Sequence, residues 1–207
     1  MTNTLDIMGI GNAIMDVIAP VSESFLVANG ITRGAMTLID EARAVELTDA
    51  ISVFNSTQIA GGSGANTIVG AAQLGAKTGY IGVVSDDDIG TQFAASLKDC
   101  GVAFDMPAQT GGLPTARSLI LVTPDGERSM NTFLGASIQF TDVHLDDEAI
   151  KTAKIVYLEG YLFDGDAAKA AFIKAAELAR VSGHKVALTL SDSFCVDRHR
   201  SAFAALV

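Results

Sequence analysis

The feature that most limits how this chain can fold is an alternation. Short apolar segments of strand character give way to stretches of helical spacing, several of which stop at a glycine. Ile7 to Ile10 reads as a buried strand, and strand character continues from Asn12 through Ala19. Ser22 to Gly30 reads as a short helix, Met36 to Asp40 as a strand, and Glu41 to Val53 as a helix. A helix from about Ala65 to Leu74 ends at Gly75, a strand runs from Thr78 to Val84, and the next helix closes at Cys100-Gly101. Thr141 is expected to cap a helix running to about Lys151, followed by a strand Ile155–Leu158, a helix from Asp166 to Arg180 and a strand Val186–Leu190. A last helix is expected from Arg198 to Val207. Strands that alternate with helices predict a parallel sheet covered on both faces, with ligands beyond the carboxyl ends of its strands. One hairpin breaks the rhythm. Arg117–Val122 and Arg128–Phe133 flank Thr123-Pro124-Asp125-Gly126-Glu127. With the strands near Ala13–Ile18 and Met36–Ile39 it predicts a second, small sheet that covers the site as a lid. The expectation is one domain over residues 1–207, its lid strands at about 13–40 and 115–135.

The stretch Ile59-Ala60-Gly61-Gly62-Ser63-Gly64-Ala65-Asn66-Thr67 is where chemistry is expected. Side chains this small let a ligand approach the backbone. The N–H groups that open the following helix lack helical partners and favour hydroxyls or an anion. Asn66 adds two donors and an acceptor at the same spot. The plainer reading is a Gly-rich turn that only caps a helix. Asp16 stands among apolar neighbours, where a carboxylate is costly unless bonded. It reads either as a solvent-facing residue of an edge strand or as a carboxylate at the mouth of the sheet that accepts ligand hydroxyls.

Other motifs fail on context. Gly9-Ile10-Gly11 has Ile14 where a dinucleotide fingerprint needs its third glycine, and strand residues follow it. Gly70 to Thr78 misses P-loop spacing by Ala76. Asp86-Asp87-Asp88 reads as a solvated helix start matched to the helix dipole rather than a metal site. Cys195 and His199 lie four apart, but a buried structural cysteine accounts for them without a third orienting group. His144 and His184 are expected at the surface. The two cysteines, with no apolar run of membrane-span length and no basic leader, point to a cytoplasmic protein. A net charge of −10 argues against nucleic acid and anionic membrane as partners.

Gly61-Gly62-Ser63-Gly64-Ala65-Asn66-Thr67, together with Gly79-Tyr80-Ile81-Gly82 through Asp86-Asp87-Asp88-Ile89-Gly90, resembles the ribokinase/PfkB carbohydrate-kinase family. The opening Gly9-Ile10-Gly11-Asn12-Ala13-Ile14-Met15-Asp16 is similar to its adenosine-kinase branch. So are Arg128-Ser129-Met130 and Leu190-Ser191-Asp192-Ser193-Phe194. The resemblance implies an α/β, ribokinase-like three-layer αβα core with a small β-sheet lid. It implies ATP- and Mg²⁺-dependent phosphorylation of a sugar or nucleoside such as adenosine, ribose or fructose. It casts Asp16 as the carboxylate for substrate hydroxyls, with Asn12, Gly62, Ser63 and Asn66 as further contacts. Ser118, Met130, Thr132 and Leu134 would shape the pocket, and Tyr161 and Phe194 would stack on a base. The family's later Asn-x-x-Glu and Gly-Ala-Gly-Asp motifs do not occur here. The fold is therefore expected to be incomplete at its C-terminus. The catalytic base is expected beyond Val207, no metal ligand lies in this chain, and the chain alone is expected to be inactive. An exposed apolar edge at Phe203 and Leu206 follows from the same expectation, as does a homodimer through the lid. A non-catalytic sugar- or nucleoside-binding module is the alternative. A Rossmann-type oxidoreductase lacks its glycine pattern here.

Overall fold

The structure is a computed structural model that describes residues 4–206. Five parallel strands form the core sheet: β1 (Ile7–Ile10), β5 (Thr78–Ile81), β6 (Val102–Ala103), β9 (Ile155–Glu159) and β10 (Lys185–Thr189), in the order β10-β9-β1-β5-β6. Chain order therefore turns at β1. The strands β5 and β6 lie to one side of it, β9 and β10 to the other. Such a switch point leaves a crevice beyond the carboxyl end of the central strand.

Helices cover both faces. The helices α3 (Ser63–Gln73) and α4 (Asp88–Asp99) bury Ile68, Phe93 and Leu97 with Tyr80 on one side. On the other, α5 (Asp147–Thr152), α6 (Asp166–Val181) and α7 (Ser193–Leu206) bury Ile150, Phe172, Ala175 and Phe203 against Met8, Ile10, Val156 and Leu158. The alanine run of α6 lets that helix lie close to the sheet.

The second sheet has the order β3-β8-β7-β2-β4, from β2 (Ile14–Pro20), β3 (Met36–Leu38), β4 (Thr57–Gly61), β7 (Ala116–Val122) and β8 (Arg128–Phe133). The sequence pattern gives the hairpin β7–β8 to within a residue. Strand β4 was hidden by the glycine run that follows it, and β6, two residues long, carries too little pattern to read. Along β2 the burial alternates: Met15, Val17 and Ala19 pack inward with Leu26 of α1 (Glu23–Ala28) and Leu47 of α2 (Glu41–Ile51), while Ile14, Asp16 and Ile18 stay partly open.

Two boundaries and one expected exposure differ from the sequence reading. Thr141 caps only a 3-10 turn, Asp142–His144, and α5 starts afresh because Asp146 accepts the Ala149 N–H at 3.0 Å. Helix α7 starts at Ser193 rather than at Arg198, since Asp192 caps it through the Cys195 N–H at 2.7 Å. Phe203 and Leu206 are 4% and 5% exposed, so the expected apolar edge is filled by the chain's own core. Neither Met1–Asn3 nor Val207 is among the described residues.

Candidate active site

The crevice lies beyond Ile10, where Gly11-Asn12-Ala13 leads from β1 into β2 of the lid. Strand pairing fixes which lid residues share a face with Asp16. Asp16 pairs with Ile59 on one side and Ser118 on the other, Ser118 with Thr132, and Thr132 with Leu38. Directly paired residues share a face. Leu38, Thr132, Ser118, Asp16 and Ile59 thus form one row across the sheet. The adjacent row runs Met36, Met130, Ile120, Ile18 and Thr57. Of the lid residues expected from the sequence, Ser118, Met130 and Thr132 share the face of Asp16. The Ser118 and Thr132 hydroxyls bond to each other at 2.8 Å. Leu134 follows β8 and its carbonyl accepts the Ser137 hydroxyl. The face also carries Met36, Leu38 and Ile59, each about half exposed, which the sequence reading named only within their segments and not as site residues. Their alternation was visible, but which strands sit side by side was not.

Asp16 is the carboxylate of this face, which Arg128, four residues before Thr132 on β8, shares. Burial raises its carboxyl to about 6, with the Arg128 guanidinium acting in the opposite sense. Gly61 lies against it. A Cβ on Gly61 would overlap the Asp16 carboxylate, so only glycine leaves room there. Gly62 follows at φ 85°, a left-handed conformation that glycine adopts freely, and its carbonyl receives the Asn66 N–H at 2.9 Å. The same turn thus carries the chain from the Asp16 carboxylate to the first turn of α3. Both Ser63 and Asn66 are exposed there.

The expected row of free amides at the head of α3 is partly taken. Glu159, almost fully buried at the end of β9, accepts the Gly64 N–H at 2.7 Å and the Ser63 hydroxyl at 2.5 Å through Oε1. Its Oε2 accepts the Asn12 N–H at 2.7 Å. Asn12, 3% exposed, is set by that bond and by the Tyr80 hydroxyl, which donates to its carbonyl at 2.9 Å. Glu159 was missed from the sequence because a glutamate ending an apolar strand looks like the first residue of an exit loop.

Tyr161 stands two residues further on. Burial and the Asp192 carboxylate push its phenol up to about 12, and its hydroxyl donates to Asp192. Phe194 lies in the first turn of α7 rather than in a loop and is 69% exposed. Ser191 between them in the chain has φ 67°, and its hydroxyl is buried without a hydrogen-bond partner among the described residues.

The remaining candidates are structural. Asp87 caps α4 through the Gly90 N–H at 2.7 Å and holds the Thr115 N–H at 2.8 Å. Cys195 is buried, and desolvation with the Asp192 carboxylate pushes its thiol up to about 11, which leaves it protonated and a poor nucleophile. His199 bonds Asp164 at 2.6 Å, and His144 stacks on Phe140 and is only partly exposed. A cavity of about 460 Å³ lies away from Asp16, lined by Met8, Ile81, Met106 and Leu145. The row around Asp16 is buried at Ser118 and Thr132 and open at its ends, Leu38 and Ile59. Among the described residues no helix is long and apolar enough to cross a membrane.

Comparison with known proteins gives a coherent picture. The description "pfkB family carbohydrate kinase" matches residues 6–207. The chain superposes on the adenosine kinase from Sinorhizobium meliloti with a TM-score of 0.88 and 45% identity, covering 98% of this chain and 62% of that one. A probable sugar kinase from Rhizobium etli gives 0.88 and 41%, with 98% and 61% covered. The probable chloroplastic fructokinase-6 of Arabidopsis thaliana is 34% identical over 125 residues, 59% of this chain and 33% of that protein. The chain thus spans about three fifths of these solved relatives and a third of that fructokinase.

Proposed function

The chain belongs to the pfkB family of carbohydrate kinases, and from that premise we propose that it binds the hydroxyl-bearing acceptor of an ATP-dependent sugar or nucleoside kinase. The observation that carries this is the row Leu38–Thr132–Ser118–Asp16–Ile59 standing over the Gly61-Gly62 turn. A carboxylate can accept two hydrogen bonds from a vicinal diol. Apolar side chains beside it give a ring somewhere to lie and keep water away from the hydroxyl that reacts. In this reading Asn12 and Asn66 supply further polar contacts, and Tyr161 and Phe194 are assigned the stacking of a base. Adenosine is the favoured acceptor, since the apolar side chains of Met36, Leu38, Met130 and Ile59 on the face of Asp16 suit a base as well as a sugar. Ribose and fructose are the competing acceptors.

ATP would supply the phosphoryl group and Mg²⁺ would offset its charge in such a reaction. Among the described residues no three His, Cys, Asp or Glu side chains are grouped to hold a metal ion. In this reading the residues named above contact the acceptor. Titration calorimetry with adenosine, ribose and fructose, each with and without ATP, tests the reading. We expect saturable binding of at least one, lost in Asp16→Ala. A folded chain that binds none of the three overturns it. Binding that is indifferent to ATP, with no ATP consumed, favours a non-catalytic binding module.

A further inference from the structure

We infer that Glu159 is a positioning residue: it fixes the acceptor site by tying two of the connections between core and lid to the end of β9. The inference rests on the acceptor-site reading above and adds a residue that touches that site only through others. The first connection is Gly11-Asn12-Ala13, which leads into the strand of Asp16. The second is Gly61-Gly62-Ser63, which leads out of β4 and into the helix of Asn66. One carboxylate holds both, through Asn12 N–H at 2.7 Å on Oε2, and through Gly64 N–H at 2.7 Å and the Ser63 hydroxyl at 2.5 Å on Oε1.

Several observations separate this from an ordinary buried acid. A buried carboxylate is tolerated only when its oxygens are bonded, and here both are in use. Its donors come from segments 95 to 147 residues away, so the carboxylate joins parts of the chain that nothing local would hold together. The space around it is closed as well. A Cβ on Gly11 would come within 2.7 Å of both Glu159 Oε2 and the Tyr80 hydroxyl, and one on Gly64 within 3.0 Å of that hydroxyl. The Ser63 hydroxyl spends its proton on Glu159, which leaves its lone pairs, and not its proton, for a ligand hydroxyl. The orientation of Ser63 and the placing of Asn12 are therefore set by Glu159 before any ligand arrives.

Glu159→Gln keeps the shape but puts an amide NH₂ against one of the donors. In the full chain, hydrogen exchange should quicken at least tenfold at the Asn12 and Gly64 amides and stay unchanged at Ile10 and Ile68. Adenosine affinity should fall about tenfold. Ser63→Ala should cost several-fold in the native background and less than twofold in Glu159→Gln, because the two act as a unit. Unchanged exchange at Asn12 and Gly64, or losses that simply add, overturns the inference. If the native chain binds no adenosine, ribose or fructose, the acceptor reading fails while the exchange measurement still decides the role of Glu159. Should Glu159→Gln not fold, Glu159→Asp, whose shorter reach breaks the Asn12 bond, is read by the same exchange rates.

Discussion

Asp16 sits where its charge is disfavoured, and that cost is informative. With its carboxyl raised to about 6 by burial, the folded chain binds this proton more tightly than the unfolded one does. The stability contributed by the protonated form is complete below the ordinary carboxyl value of 3.8 and is lost as pH rises through about 6. Asp16→Asn should therefore stabilise the free chain above pH 6, by on the order of 1–2 kcal/mol once solvent screening of a partly open side chain is allowed for, and change little below pH 4. Acceptor affinity should move the other way. The native chain should bind more tightly as pH climbs from 5 to 7, by roughly tenfold in all and mostly below pH 6, while the variant binds weakly throughout. Thermal unfolding between pH 4 and 8, with calorimetry at the same values, reads both. Loss of stability in Asp16→Asn at pH 7 would contradict the whole account of this carboxylate. From the sequence, Asp16 was legible because a lone acid interrupts an apolar strand. The overlap with Gly61 was not, since it depends on β2 and β4 lying side by side.

At the scale of elements, α7 shows what a short window of sequence can and cannot say. Its polar first half, Ser193 to Arg200, has weak helical spacing, which is why a helix was expected only from Arg198. One local contact and one distant residue overrule that weakness. Asp192 caps the first turn, and Asp164 accepts both the Arg198 guanidinium and the His199 ring, at 3.2 and 2.6 Å. His199 itself departs from helical geometry (φ −122°), so the helix bends there. The bend turns the second half inward and sets the Phe203 ring centroid 4.8 Å from that of Phe163. Phe203→Ala should then cost about 3 kcal/mol, the usual loss for a large buried ring. An exposed ring would cost under about 0.5 kcal/mol. Chemical denaturation of the two proteins separates these outcomes, and a neutral result would restore the exposed edge expected from the sequence.

For the whole molecule, the layered core was legible from the strand–helix rhythm, and the lid hairpin from Asp125-Gly126. Strand order was not, because it is settled by contacts between segments far apart in the chain. Strand β4, hidden by the glycine run that follows it, bears on how copies of the molecule meet. It is an outer strand of the lid sheet, Thr57-Gln58-Ile59-Ala60-Gly61, with most of its side chains exposed. Edge strands are commonly guarded by charge, proline or shortness. The opposite edge, β3, is three residues long, whereas β4 has five residues and neither a charge nor a proline. An unguarded edge of this kind can extend the sheet into a second copy, which would also place a neighbour beside Ile59 and the acceptor face. We expect a concentration-dependent dimer in sedimentation velocity, and we expect the pair Thr57→Lys and Gln58→Lys to weaken it at least tenfold by setting like charges opposite one another. A monomer at every soluble concentration, or a dimer untouched by those lysines, would put the contact elsewhere and leave the β4 edge to be explained by the lid alone.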